Sequence, residues 1–277
     1  MNAILPFVRS RARITDFALL RPTTLDEVTA ALQGPGKVKV MAGGVDLIDQ
    51  LKGGLDVDTV VHVGRVAALR QIGVADGVLT IGAGCRHTDI ARSPLMLEAM
   101  PGLAALCGVL GNVRVRAKGT VGGNLLSRNP AYDLAPALHA LGASLNVVGT
   151  SGARSLPVAG LDSIGSDELL VSVDVPALQG RFLVSRDMRP YLSIYLVARR
   201  DPASRTLGVR AGFACVAPAP LMSVHTRLPA ELDAAGIAAE LVAALPPLSS
   251  DTIVSSAWRR RALEVSCARL LEGLTHD

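Results

Sequence analysis

Residues 114–133 read RVRAKGTVGGNLLSRNPAYD. Three cations, Arg114, Arg116 and Lys118, lead into Gly119-Thr120, the adjacent pair Gly122-Gly123 and Asn124, and a turn marked by Pro130 runs on to Asp133. Adjacent glycines cost conformational entropy wherever they sit, so such a pair between apolar segments marks backbone that bends tightly or lies against something. A second pair, Gly43-Gly44, ends KVKVMAGG at residues 37–44. Successive amides in a glycine turn form a concavity for an anion, and the missing β-carbon lets a phosphate approach closely. A pyrophosphate is the natural guest; that each pair is merely a tight turn stays open.

Around these loops the periodicity alternates between helix and strand. RPTTLDEVTAALQG reads as a helix, with Thr24 as N-cap, Glu27 completing a capping box and Gly34 as a stop. KVKVMAGG reads as a strand entering a glycine loop, and VDLIDQLKGG as a short helical turn after it. TVVHVG, QIGVADG and VLTIGAG read as short β segments, with Asp76-Gly77 at a hairpin turn. Pro94 and Pro101 each open a helix in HTDIARSPLMLEAMPGLAALCGVL. After the opening motif come an apolar helix, DLAPALHALG, and the strands SLNVVG and LLVSVDVP. YLSIYLVARR and LGVRAGFACVAPAPL read as strands joined by a polar hairpin at DPASRT, with helices from about Pro229 to the end.

Composition narrows the function classes. Hydrophobic residues are 49% and charged residues 19% of 277, enough for a substantial core in two or three folded units. The net charge of +4 suits an acidic ligand, but four Phe, three Tyr and one Trp leave little to stack on bases, which argues against nucleic acid. Cys85, Cys107, Cys215 and Cys267 form no C-x-x-C pair, which argues against zinc or an iron–sulfur cluster in this chain and for buried free thiols. MNAILPFVRSRARI places its arginines after the apolar run, the reverse of a signal peptide, and no segment has the apolar length of a membrane span. A reducing, cytoplasmic setting is expected.

The common nucleotide fingerprints are missing: GAGCRH lacks the third glycine of G-x-G-x-x-G, and no G-K-[ST] occurs. His62, His87 and His139 stand apart without metal-ligand spacing and read as structural or surface residues.

The ordered set RPTTLDEVTAAL, KVKVMAGGVDLIDQLKGG, VLTIGAGCRHTDIARSP, VRAKGTVGGNLLSRNPAYDLAPALHALGA and SDELLVSVDVP resembles the FAD-binding medium subunit of the molybdenum hydroxylases, the flavin chain of carbon monoxide dehydrogenase and xanthine dehydrogenase-like enzymes. VRAGFACVAPAPL and SSAWRRRALEVSCARLL resemble that family's second domain. The resemblance implies an α+β fold: a two-lobed FAD-binding domain of the PCMH type over 1–178, with lobes of about 1–55 and 56–178, and a small α+β C-terminal domain over 179–277.

It further implies that Ala42, Gly43, Gly44, Val45 and Asp46 in one loop, and Thr120, Gly122, Gly123 and Asn124 in the other, cradle the FAD pyrophosphate. Asp133 would hold the adenosine ribose, a carboxylate accepting two hydroxyl donors, and Arg116 matches a recurrent arginine that is either a ligand or a solvated cation. Several positions depart from the family: Val45 and Ala117 replace polar residues, Arg128-Asn129 replaces a small residue and aspartate, and Tyr132 replaces a small one. Arg186 and Arg189 stand where a lysine is expected near the flavin ring. The implied function is electron transfer, from iron–sulfur clusters of a small 2Fe-2S subunit to an external acceptor, with substrate oxidised in a large molybdopterin-binding subunit. A stand-alone flavin oxidoreductase and a scaffold that has lost FAD are the alternatives.

Overall fold

The computed structural model describes residues 14–186, 191–201, 203–219 and 221–272. The stretch compared above with a signal peptide, Arg189 and the last residues read as helical lie largely or wholly outside them. The fold is α+β, with three separate sheets.

The first sheet is parallel, in the order β1 (Ala18–Leu20), β3 (Thr59–His62), β2 (Val38–Met41). Between β1 and β2 runs α1 (Leu25–Leu32), begun by the expected capping box: Thr24 Oγ1 accepts the Glu27 amide at 3.2 Å, and the Glu27 carboxylate accepts the Thr24 amide at 3.3 Å. Val28 and Leu32 of α1 pack with Val61 and Val63. β2 passes through Ala42-Gly43-Gly44 into α2 (Val45–Lys52). Because β3 closes this sheet, the first layer extends past residue 55 to His62. A parallel pairing of distant strands leaves no local mark in sequence, so TVVHVG groups by position with the hairpin that follows it.

The second sheet is antiparallel, in the order β4 (Ile72–Ala75), β5 (Val78–Gly82), β8 (Leu169–Pro176), β6 (Ser144–Gly149), β7 (Gly152–Pro157). The β4–β5 turn has positive φ at both Asp76 (51°) and Gly77 (74°), as a type I′ hairpin demands. Six helices fill the crossover from β5 to β6: α3 (His87–Arg92), α4 (Pro94–Ala99), α5 (Pro101–Val109), α6 (Val113–Lys118), α7 (Val121–Leu126) and α8 (Leu134–Ala140). Ile81, Leu103, Leu138 and Val173, each no more than 1% exposed, belong to the core between them and the sheet.

The third sheet, β12 (Met222–Pro229), β11 (Thr206–Ala214), β10 (Ser193–Asp201), β9 (Arg181–Arg186), is antiparallel and is backed by α9 (Ala234–Ala243) and α10 (Ser256–Glu272). Tyr195 of β10 belongs to the core of the second layer, with Phe182 of β9 packed against it, so the two layers meet along these two strands.

The opening motif departs from its reading as a glycine loop. Residues 113–118 and 121–126 are short helices. Caps override the poor helix propensity of glycine here: Asn112 Oδ1 accepts the amides of Arg114 and Val115 at 2.9 and 3.0 Å, and Thr120 Oγ1 accepts that of Gly123 at 3.1 Å.

Candidate cofactor site

The two glycine pairs, some eighty residues apart in sequence, come together through one backbone contact. A β-carbon on Gly43 would overlap the carbonyl oxygen of Lys118, so the first loop lies directly on the C-terminal end of α6. Gly44 follows in the left-handed region (φ 75°) as the N-cap of α2 and offers no side-chain cap. The first amides of α2 therefore have no intrahelical acceptor and no capping oxygen. In the second segment, α7 sits on the end of β5: the Gly122 amide donates to Ala83 O at 2.8 Å, and a β-carbon there would come within 2.9 Å of Ala83 Cβ.

Between these segments lies a cavity of about 490 Å³, a size suited to an organic ligand. Ala42, Gly43, Gly44, Val45, Asp46, Thr120, Gly122, Gly123, Asn124 and Asp133 all line it. Gly123 faces this space: a β-carbon there would meet only Thr120 Oγ1, at 3.1 Å.

The donors differ between the walls. The amides of Gly122, Gly123 and Asn124 are spent on Ala83 O, Thr120 Oγ1 and Thr120 O, so this wall offers close approach more than free N–H groups. Free backbone donors belong to the start of α2.

Arg116 is not part of the lining. Its Nη1 donates to Gly111 O at 2.8 Å and Leu110 O at 3.4 Å, fastening the loop whose Leu110 and Gly111 do line the cavity. Half-buried and outside the lining, it braces the rim of the cavity.

Asp133, 3% exposed, accepts from Arg186 Nε at 2.8 Å and from Tyr195 OH at 2.7 Å. Both donors come from the third sheet, and Arg186 reaches the same cavity. Asp46 is engaged as well, with Tyr132 OH donating to its Oδ1 at 2.6 Å. Burial and that bond hold the Tyr132 phenol well above its usual range, so it remains a donor.

The departing residues have structural partners of their own. Arg128 Nη2 donates to Ile164 O at 2.8 Å, and Asn129 Oδ1 accepts the Ala131 amide at 2.9 Å in the turn that presents Tyr132. Ala117 is exposed, and Val45 contributes apolar wall.

Sequence reasoning missed other lining residues. His87, read as structural or surface, is 1% exposed and lines the cavity, and burial lowers its pKa to about 4, so it is a neutral imidazole. Glu168, Leu169 and Leu170 enter from β8 and the turn before it. The Glu168 carboxylate is held at about 2 by the Arg154 guanidinium, bonded at 2.7 Å through both oxygens, and by the Gly165 amide. Nothing local distinguishes Leu169 and Leu170 from ordinary strand residues; only the topology brings β8 to the site. Each lining carboxylate, Asp46, Asp133 and Glu168, thus already has a donor.

Residues 15–178 match the model of the FAD binding domain in molybdopterin dehydrogenase. The chain belongs to that family. Its cofactor is FAD. The residues fit this group: Gly123 clears a cradle that a β-carbon would fill, and uncapped amides at α2 face a cavity whose carboxylates are engaged.

Among related proteins, the glyceraldehyde dehydrogenase medium chain of Sulfolobus acidocaldarius is 29% identical over 174 residues, 60% of this chain and 61% of that one. Subunit alpha of the 6-hydroxypseudooxynicotine dehydrogenase complex of Paenarthrobacter nicotinovorans is 30% identical over 175 residues, 57% and 59% of the two chains. The matches thus span about three fifths of these relatives. The fold extends further. A chain of carbon monoxide dehydrogenase from Hydrogenophaga pseudoflava superposes with a TM-score of 0.81 at 21% identity, covering 94% of this chain and 97% of that one. A chain of quinoline 2-oxidoreductase from Pseudomonas putida 86 does so at 0.83 and 20%, covering 94% and 96%.

Proposed function

We propose that this chain is the FAD-carrying electron-transfer subunit of a multi-subunit molybdenum-containing dehydrogenase. It would take electrons from the iron–sulfur clusters of a small 2Fe-2S partner and deliver them to an external acceptor, while a large molybdopterin-binding partner oxidises the substrate. The observation that carries the reading is a cavity walled by both glycine segments, in a chain of this family whose relatives are named as medium chains and complex subunits. Among the described residues no group of three or more His, Cys, Asp or Glu is placed to hold a metal. The four cysteines are free thiols, which suits the cytoplasm, where the proposal places the chain. No helix of the described residues is long and apolar enough to cross a membrane.

In this reading Ala42, Gly43, Gly44 and Val45, with the first amides of α2, hold the pyrophosphate on one side. Thr120, Gly122, Gly123 and Asn124 provide the close-fitting wall on the other. Each Asp133 oxygen has accepted one hydrogen bond and keeps a further lone pair, so the carboxylate can still receive ribose hydroxyls. Arg186 adds a cation fixed in direction by Asp133. Bound FAD supplies the redox chemistry, and the protein's part is to bind, orient and set the local field.

The visible absorption spectrum of the purified chain, before and after adding FAD, tests the proposal. Flavin bands in the folded chain are expected. A folded chain that is colourless and takes up no FAD would overturn it and favour a scaffold role, whereas flavin bleaching by an organic substrate without partner chains would favour a stand-alone oxidoreductase.

A further inference from the structure

Asp46 lines the cavity, but a carboxylate is a poor neighbour for a diphosphate: like charges about 4 Å apart repel by about 1 kcal/mol in water and by more inside a protein. Its structural partner is Tyr132, 86 residues away in sequence and in a different layer. α2 itself is weakly anchored. It fully buries only Leu51, which with half-buried Leu47 packs in a small cluster with Val57 and Val60 of its own layer. Toward the second layer, the loop and the start of α2 are tied by the approach of Gly43 to Lys118 and by the Tyr132–Asp46 hydrogen bond. That bond also stands at a boundary. Asp46, Gln50 and Ser127 line both the cavity and a neighbouring surface groove of about 500 Å³, which includes Asn129.

We propose that Tyr132 is a positioning residue for the cofactor site: through Asp46 it latches the start of α2 onto the second layer and closes the cavity toward the groove. The proposal rests on the FAD reading of the cavity. Asn129 builds the turn that aims Tyr132, its side-chain oxygen taking the Ala131 amide and its carbonyl the Tyr132 amide at 3.0 Å. Two departures from the family pattern, Asn129 and Tyr132, then belong to one device.

The test uses Tyr132→Phe, which keeps the ring and loses the donor, Asp46→Ala, which loses the acceptor, Asp46→Asn, which keeps an acceptor oxygen, and the Tyr132→Phe/Asp46→Ala double variant. In the FAD-free chain, amide hydrogen exchange of residues 48–52, whose amides bond back along α2 starting with Ile48 to Gly44, is expected to speed up roughly tenfold in Tyr132→Phe and Asp46→Ala, the scale of one charge-assisted hydrogen bond. It should rise no further in the double variant and stay slower in Asp46→Asn than in Asp46→Ala. FAD release should follow the same order with melting temperatures little changed. Exchange and FAD release in Tyr132→Phe equal to the parent, or single effects that add in the double variant, would overturn the latch. Accelerated exchange in the variants of a chain whose parent takes up no FAD would instead leave the latch standing and remove its connection to flavin.

Discussion

Arg186 Nε lies 2.8 Å from Asp133 Oδ2, and together with Tyr195 OH it ties the third sheet to the N-cap of α8 at the cavity wall. The carboxylate side chain is 5% exposed and the guanidinium 18%, so removing one partner strands a charge that water reaches poorly. Arg186→Met is expected to cost about 3 kcal/mol, at the low end for a broken buried pair because Tyr195 still donates to Asp133. Asp133→Asn in the same chain should restore much of the loss by removing the unpaired charge. Urea midpoints of the two singles and the double check this. A loss under about 1 kcal/mol in Arg186→Met would make the pair equivalent to an exposed one.

Gly43 and Gly123 are both glycines in the candidate site, yet they should fail differently. Gly43→Ala drives a β-carbon into the Lys118 carbonyl, which is backbone and cannot rotate away, so the loops must separate. A loss of about 1–3 kcal/mol is expected. Gly123→Asp meets only Thr120 Oγ1 and places an acid in the first turn of α7, where the helix end favours it, so the fold should survive. The same acid would repel a diphosphate. Thermal melting with FAD titration separates the two outcomes, and a folded Gly123→Asp chain that retains FAD would refute the pyrophosphate assignment to this wall.

The contrast between these glycines also marks how far the sequence could be read. Local signals came through where the physics is local: the Thr24–Glu27 box, the Pro94 and Pro101 helix starts and the Asp76-Gly77 turn all stand in the structure. β7, with only Leu156 buried, and the three-residue β1, wholly exposed, carry too little hydrophobic pattern to be seen. The helices α6 and α7 are six residues each and depend on caps, so periodicity does not reveal them. At the site, the glycine pairs stood out by chemistry, and Asp133 came only with the family resemblance. That Arg116 braces the rim, that Asp46 faces Tyr132 and that His87 and β8 line the same cavity depend on contacts across layers, which no local window contains.

Thr120 joins stability to the site because its Oγ1 caps α7 while the residue lines the cavity. Thr120→Ala removes the acceptor of the Gly123 amide and is expected to destabilise the chain by about 1 kcal/mol. Thr120→Ser keeps the hydroxyl and should stay near the parent. Denaturant midpoints decide, and an alanine variant as stable as the serine one would show that the cap carries no weight.

Acid should weaken the fold through His87. Burial lowers its folded pKa from 6.5 to about 4, so between these values the unfolded chain binds a proton that the folded chain refuses. Above pH 6.5 both states are neutral and the group has no effect; as pH falls below it, stability is lost. His139, lowered to about 4 chiefly by burial and also by Arg210 and His225, acts with the same sign. Glu168 loses its stabilising charge only as pH falls from 4.5 toward about 2, so measurements down to pH 4.5 isolate the histidines. Over that window His87 should contribute on the order of 2 kcal/mol to the fall in unfolding free energy. His87→Leu should flatten the pH dependence by that amount while the His139 share remains. If urea unfolding from pH 7 to pH 4.5 gives parallel curves for parent and variant, His87 takes up its proton in the folded chain and the neutral-imidazole assignment is wrong.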